Sequence, residues 1–385
     1  MSNIVLLGLV SLFTDISTEM VYPILPLYLS IVMGAGPAII GIIEGIAESL
    51  ASIVKLFSGI IADRYGHKKR LAIFGYASST VNKIIILLAT TWTGVLIARI
   101  IDRFGKGIRT APRDAMIAES ADRSQLGKAF GLHKGLDLLG TAIGILLAWF
   151  ILSFGDNEYK KIFLFSLIPA FIGLVFLMFV KDKKPVSTVK RAAFNWKNLD
   201  KRLKLFLICI FIFTLGHSSN AFILLRAYSA GFSPRGAILL YFIYNMTGSL
   251  LSYPAGLLSD KFGRKNLLCV GYLLFGIVYM GIAFASNSIV FIALFVIYGF
   301  YSAMTAGVER ALIVDIVPAE HKAGTLGLHA AIVGIGLLPA SVIAGFLWEW
   351  FGHSAPFLLS GTLAFITCIG VFIILGNKAQ SAVRG

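Results

Sequence analysis

The chain has 385 residues, a formal net charge of +15, 57% hydrophobic but only 14% charged residues, and a mean hydropathy of +0.85. So few charges exclude a soluble domain of this size, whose surface would need more of them. Apolar runs of about 20 residues, long enough to span a bilayer, recur along the whole length, and the sequence reads as an all-α polytopic membrane protein. Cys209, Cys269 and Cys368 fall singly inside apolar runs, so neither a disulfide framework nor a metal cluster is expected. The first run opens at Ile4 without a basic leader or a small-residue cleavage site, and no cleavable signal is expected.

In chain order the pattern predicts twelve spans, at 4–32, 38–61, 70–91, 93–112, 126–152, 162–180, 204–228, 236–258, 267–286, 289–314, 323–348 and 355–376. Breaks such as Gly34-Ala35-Gly36-Pro37 and Ser286-Asn287-Ser288 punctuate them. This divides the chain into an N-terminal six-helix bundle (1–180), a basic connector (181–203) and a C-terminal six-helix bundle (204–385). Within the connector, Phe194, Trp196 and Leu199 belong either to a short helix on the membrane surface or to a solvated basic linker.

Most of the 34 Lys and Arg residues map to the side that holds both termini and the connector, with Lys160, Lys161 and Arg235 opposite. The positive-inside bias therefore places both termini and the connector in the cytoplasm, and Trp92, Trp348 and Trp350 near the other interface. Topology and lipid headgroups account for the positive charge, so no nucleic-acid partner is needed.

Two stretches repeat. Gly59, Asp63, Arg64 and Gly66 reappear as Gly256, Asp260, Lys261 and Gly263, each set followed by basic residues that include Arg264. Ala115 to His133 matches Ala311 to His329 at nearly the same offset of 196. Two blocks at one offset imply duplicated six-helix halves, the sequence pattern of a transporter built for alternating access. Asp63 and Asp260 fall where a helix meets the cytoplasmic interface. A carboxylate there can pair with cations such as Arg113 or with a helix N-terminus in one conformer only, as a cytoplasmic gate.

The chain resembles the major facilitator superfamily of secondary transporters over essentially its whole length. Gly59-x-x-x-Asp63-Arg64-x-Gly66-x-Lys68-Lys69 is similar to the loop 2–3 signature of that family, Gly256 to Lys265 to its loop 8–9 counterpart, and Arg103-x-x-Lys106-Gly107 to its fourth-helix signature, with lysine in place of glutamine. The fifth-helix Gly-Pro signature of many drug/proton antiporters is not matched, because Thr141 follows Gly140. The stretch from Arg99 to Asp114 is similar to a bacterial subgroup. The resemblance implies two pseudo-symmetric six-helix bundles in a bacterial inner membrane, a monomer, a small-molecule substrate and membrane lipids as partners, with a proton gradient rather than a cofactor as energy source.

Charges inside the spans are costly unless paired or wet, and so mark function. Asp15 and Glu19 lie four apart in span 1, as do Glu44 and Glu48 in span 2, while Arg99, Asp102, Arg103 and Lys106 form one stripe on span 4. If Arg103 holds a carboxylate ionised in one state, moving that cation away favours the protonated form. Asp15, Glu19, Glu48, Asp102 and Arg103 are the proton-coupling candidates, with Asp15 first. Other polar groups within the spans could line a substrate cavity: Glu44, Arg99, Lys106, His133, Lys134, Asp137, His217, Asn220, Arg226, Asn245 and His329. Static salt bridges and packing hydrogen bonds compete with function for Glu44 and for the histidines, and no two histidines stand at chelating spacing.

No nucleophile–base set, metal motif or phosphate-binding loop stands out, so neither an enzyme nor an ATP-driven pump is expected. Proton-coupled export of an amphiphilic or organic compound leads. A charged metabolite or metal chelate such as a siderophore, lysolipid flipping, and a non-transporting membrane sensor are the alternatives.

Overall fold

The computed structural model describes residues 3–65, 67–121, 125–155, 158–181, 200–305, 307–317 and 322–376. Its helices are α1 (Asn3–Val21), α2 (Leu25–Ile31), α3 (Pro37–Tyr65), α4 (Lys68–Leu88), α5 (Trp92–Ser120), α6 (Leu126–Ile151), α7 (Tyr159–Met178), α8 (Lys201–Gly216), α9 (Ala221–Ser229), α10 (Pro234–Phe262), α11 (Arg264–Phe284), α12 (Ser288–Thr305), α13 (Val308–Ile316), α14 (Lys322–Phe351) and α15 (Ala355–Ile374). Among the described residues, ten helices or consecutive helix pairs are long and apolar enough to cross a membrane. α5 and α10, 29 residues each, complete the twelve. They are less apolar because α5 carries the charged stripe from Arg99 to Asp114, while Asn245, Thr247 and Ser249 dilute α10.

Local chemistry sets the ends and breaks of these helices. Thr91 caps α5 by accepting from the Gly94 amide at 3.4 Å, and Asp200 caps α8 by accepting from the Arg202 amide at 2.6 Å. Span 1 is divided between α1 and α2 at Pro23, which has no amide to donate. Span 7 is divided at His217–Asn220, where the freed Ser219 amide donates to Ser341 Oγ at 3.1 Å. A side chain thus satisfies backbone that lipid could not. Gly263, the cap of α11, has φ of +89°, a conformation that suits glycine and explains its place in the gate motif.

The chain divides into two compact units, Met1–Val189 with Phe232–Phe242, and Lys190–Gly231 with Ile243–Gly385. The repeat is visible in the elements themselves. α4 and α11, α7 and α15, and α5 and the α12–α13 pair begin and end 196 positions apart, and α3 and α10 are offset by one more. The packing partners repeat too. α1 packs on α6 and α7, and α4 on α5 and α7; in the second unit α8 packs on α14 and α15, and α11 on α12 and α15. An ion pair recurs at the same offset. Lys68 binds Glu119 in the first unit, and Arg264 Nη1 binds Asp315 Oδ2 at 2.6 Å in the second, each tying the start of one helix to the end of another.

Helix α6 crosses α1 through glycines. A Cβ on Gly140 would stand 2.5 Å from the Leu12 carbonyl oxygen, and one on Gly144 would stand 2.5 Å from that of Ile16. Small residues one turn apart let the two backbones touch, as small-residue stripes do between membrane helices. On the same helix a Cβ at Gly135 would meet nothing within 4 Å. Gly140→Ala is therefore expected to destabilise by about 1–3 kcal/mol through overpacking, whereas Gly135→Ala is expected to be neutral or stabilising by up to ~1 kcal/mol through helix propensity. Thermal unfolding of both variants in detergent checks this difference in sign.

Candidate functional site

In the first unit the charged stripe of α5 meets acids and hydroxyls from three other helices. Arg99 Nη2 donates to both carboxylate oxygens of Glu44 on α3, at 2.8 and 2.7 Å, with both side chains buried. One turn on, Arg103 Nη2 lies 3.0 Å from Glu48 Oε1, and its Nε lies 3.7 Å from Asp102 Oδ2. The two guanidinium groups sit over the Tyr22 ring at 5.4 and 5.5 Å from its centroid, an aromatic face that favours cations.

Asp102 is reached from α4, where Ser79 Oγ donates to its Oδ1 at 2.7 Å. The same hydroxyl accepts from Arg109 Nη1 at 2.5 Å, and the Ser79 carbonyl accepts from Lys83 Nζ at 3.0 Å. Arg109 also lies over the Tyr76 ring at 4.6 Å. A cavity of about 10 Å³, where Tyr22, Asn82, Lys83, Arg99 and Asp102 meet the apolar Val21, Leu25 and Ile86, closes the cluster beside α1. That is about one water's worth of space. Ser79, Arg109 and Tyr22 were missed by the sequence reading. Their signal was faint: Ser79 stands one turn before Lys83, and Arg109 belongs to the α5 stripe.

Asp15 and Glu19, four apart on α1, are half-buried against α6, with their Cβ atoms 3.1 Å from where Cβ atoms on Gly140 and Gly144 would be. The Oε2 of Glu19 is buried and has no hydrogen-bond partner. Arg103 and Lys106 influence Glu19 electrostatically, but neither forms an ion pair with it. Asp137 on α6 lies within electrostatic reach of Asp15. Its Oδ2 is 3.7 Å from His133 Nδ1, and its Oδ1 is buried without a hydrogen-bond partner. His133 Nε2 shares a 2.8 Å hydrogen bond with Ser11 Oγ, which also accepts from Arg113 at 3.3 Å. Lys106 and Lys134 are exposed.

The second unit replaces this charge with aromatic rings. At 196 positions beyond Ser79, Lys83 and Asp102 stand Phe275, Tyr279 and Tyr298. Phe275 and Tyr279 stack at 3.9 Å, and Tyr298 stacks with Tyr244 at 4.4 Å and with Tyr301 at 5.5 Å. His217 lies against Phe275 and Tyr301, and Asn220 accepts from the Tyr298 hydroxyl at 3.0 Å. Asn245 is half-buried on α10. Arg226 does not stand free as a ligand would. It donates to the carbonyls of Ile282 and Ala285 at 3.1 and 2.6 Å and lies over the Phe291 ring, closing the end of α11. His329 joins Glu309 rather than any other histidine.

Of the gate residues, Gly66 and the side chains of Asp63 and Arg64 lie outside the described residues, as does the surroundings of Gly59. Arg113 pairs with its neighbour Asp114 at 2.8 Å. Arg264 pairs with Asp260 at 3.5 Å as well as with Asp315, and donates to the Ala311 carbonyl at 2.7 Å. Lys261 is exposed, and a Cβ on Gly256 would meet nothing within 4 Å. Phe194, Trp196 and Leu199 of the connector lie outside the described residues.

The family model of the Major Facilitator Superfamily matches residues 7–224 and 205–384. An uncharacterized MFS-type transporter of Methanocaldococcus jannaschii is 37% identical over 372 residues, covering 95% of this chain and 93% of the relative. Over 147 residues, 38% of either chain, there is 29% identity to the quinolone resistance protein NorA of Staphylococcus aureus. Among solved structures, the nucleoside transporter NupG matches with a TM-score of 0.78 at 14% identity, over 98% of this chain and 100% of that one. A D-xylose-proton symporter matches with a TM-score of 0.78 at 17% identity, over 98% of each chain. At such identities these structures are similar in fold alone. With twelve spans, duplicated halves and a family model matched almost end to end, the chain belongs to the Major Facilitator Superfamily and is an integral membrane transporter of that family.

Proposed function

We propose that the protein is a proton-coupled secondary transporter that exports an amphiphilic or organic compound by alternating access. The observation that carries this reading is the unequal partnering of the acids in the first unit. Glu44 is held by Arg99, Glu48 by Arg103, and Asp102 by Ser79 and Arg103. Glu19 instead presents a buried oxygen with no hydrogen-bond partner, one turn from Asp15. A carboxylate inside a membrane that lacks a cation partner takes a proton readily, because the neutral acid avoids the cost of a buried charge. The proton carrier is therefore Glu19 together with Asp15, whereas Glu48 serves as the resting partner of Arg103. When Glu19 loses its proton, it competes with Glu48 for Arg103, and a cation that changes partners gives α1, α3 and α5 two alternative arrangements.

The amphiphilic cargo is supported by the partial similarity to a quinolone resistance protein. It is also supported by the stacked tyrosines that stand in the second unit where the first has charges. An anionic metabolite or chelate is less favoured, because Arg99, Arg103 and Arg226 are already engaged. The excess of Lys and Arg on one side supports cytoplasmic termini, with the bacterial inner membrane as the proposed location.

In proteoliposomes with an imposed pH gradient, tested with a quinolone and a lipophilic cation, the wild type is expected to accumulate substrate only when the gradient is present. Glu19→Gln is expected to abolish gradient-driven accumulation, because no proton-accepting group is left at that position, while sparing downhill exchange. Equal gradient dependence in the variant removes Glu19 from the mechanism, and gradient-independent accumulation by the wild type removes proton coupling.

The Arg99–Glu44 pair is assigned a static role. Arg99→Leu alone is expected to cost about 3–5 kcal/mol by leaving Glu44 buried and unpaired, and Arg99→Leu combined with Glu44→Leu to regain most of that loss. Thermal unfolding reads the stability, and gradient-driven transport by the double variant reads the role. A stable but inactive double variant contradicts the assignment.

A further inference from the structure

The second unit holds one carboxylate in company of another kind. Glu309, in the first turn of α13, accepts a 2.8 Å hydrogen bond from the Tyr272 hydroxyl of α11 through Oε1, and its Oε2 lies 3.2 Å from His329 Nε2 of α14. The Glu309 and His329 side chains are only 15% and 10% exposed. Among the described residues, no lysine or arginine forms an ion pair with Glu309.

The internal repeat shows what is unusual here. The positions 196 earlier are Tyr76, Arg113 and His133. There an arginine stands in place of the glutamate, the buried Tyr76 hydroxyl has no hydrogen-bond partner, and His133 bonds to Ser11, which also accepts from Arg113. Both units keep the tyrosine and the histidine but differ in the sign of the charge between them.

The identity of the partners decides the chemistry. A guanidinium stays charged at every physiological pH and holds its carboxylate ionised. A phenol and an imidazole can donate to a carboxylate yet leave it able to accept a proton, and imidazole is the side chain whose own charge changes near neutrality. The groups within reach of Glu309 come from every element around it: Tyr272 on α11, Tyr301 on α12, His329 on α14 and His217 on α8. Of the nearby cations, Arg264 is engaged by Asp315 and Asp260, and Arg310 is exposed.

We propose that Glu309 and His329 form a proton-binding site in the second unit, separate from the carboxylates of the first. Proton binding stands on this geometry; its use in transport rests on the proton-coupled reading above. α13 is a nine-residue helix set off from α12, and it packs on α11 and α14, the elements that supply Tyr272 and His329. Protonating Glu309 weakens both hydrogen bonds and loosens the attachment of α13 to each neighbour, whereas deprotonation restores it.

The test is infrared difference spectroscopy between acid and alkaline pH on the full-length protein in lipid, comparing wild type, Glu309→Gln and Glu19→Gln. The expected result is a protonated-carboxyl band that loses one component in Glu309→Gln and a different component in Glu19→Gln. A band unchanged by Glu309→Gln overturns the proposal. Loss of the Glu309 component with the Glu19 component absent from wild type sustains this site and overturns the first-unit reading. If Glu309→Gln does not fold, His329→Gln and Tyr272→Phe decide instead. A displacement of the titration midpoint of the band by about one pH unit in either supports the site, and no displacement in either overturns it.

Discussion

A carboxylate placed among membrane helices must find a cation, find water or give up its charge, and that constraint orders the interior of this transporter. Glu44 and Glu48 meet the arginines of α5, and Asp102 meets Ser79 and Arg103. These contacts require α3, α4 and α5 to hold a fixed register, and repeated small residues supply it. Gly75 and Gly105 meet across α4 and α5, and Gly107 meets Val54 across α5 and α3. With those pairs in place, α1 carries the acids that are left. Glycines on α6 draw α1 in so closely that Asp15 and Glu19 are half-buried with no guanidinium bound to them.

The duplicated architecture gives the two units one scaffold and two chemistries. Offsets of 196 relate α4, α5 and α7 to their partners residue by residue, yet where the first unit has Ser79, Lys83 and Asp102 the second has Phe275, Tyr279 and Tyr298. Charge networks respond to protons and ions, whereas stacked aromatic rings offer apolar area and a quadrupole that attracts cations. On the proposed reading, the charged scaffold is the one that senses protons and the aromatic scaffold the one that holds an amphiphile. Within the aromatic half, Glu309 accepts from the Tyr272 phenol and lies beside the His329 imidazole, with no lysine or arginine paired to it among the described residues.

Much of the fold was legible in the sequence because its signals are long. Apolar runs of membrane length, a repeat at one offset and the charged gate motif each extend over many residues. Individual partners were harder to see. Asp15 and Arg103 both stood out as proton-coupling candidates, with the carboxylate that Arg103 would hold left open, because periodicity fixes only a face and not the neighbour that face meets. The structure gives Arg103 to Glu48. Arg226 looked like a cavity residue because a lone cation in a membrane suggests a ligand site. The carbonyls of Ile282 and Ala285 that bind it come from a distant part of the chain and left no trace in its local sequence. Ser79 was invisible for a related reason, since a serine on a helix carries no sign of whether it bridges two charges.

The central claim is that the carboxylates of α1 carry the proton while their neighbours on α3 stay ionised beside arginine. The most direct measurement follows the proton itself. An outward quinolone gradient is applied to proteoliposomes without any pH gradient, and the pH change in the lumen is read with a trapped dye. The account predicts that substrate flow drives proton flow in the opposite direction in the wild type, and that this counterflow disappears when Asp15 and Glu19 are both replaced by their amides, Asp15→Asn and Glu19→Gln, although substrate still moves down its gradient. Undiminished proton counterflow in the double variant would contradict it.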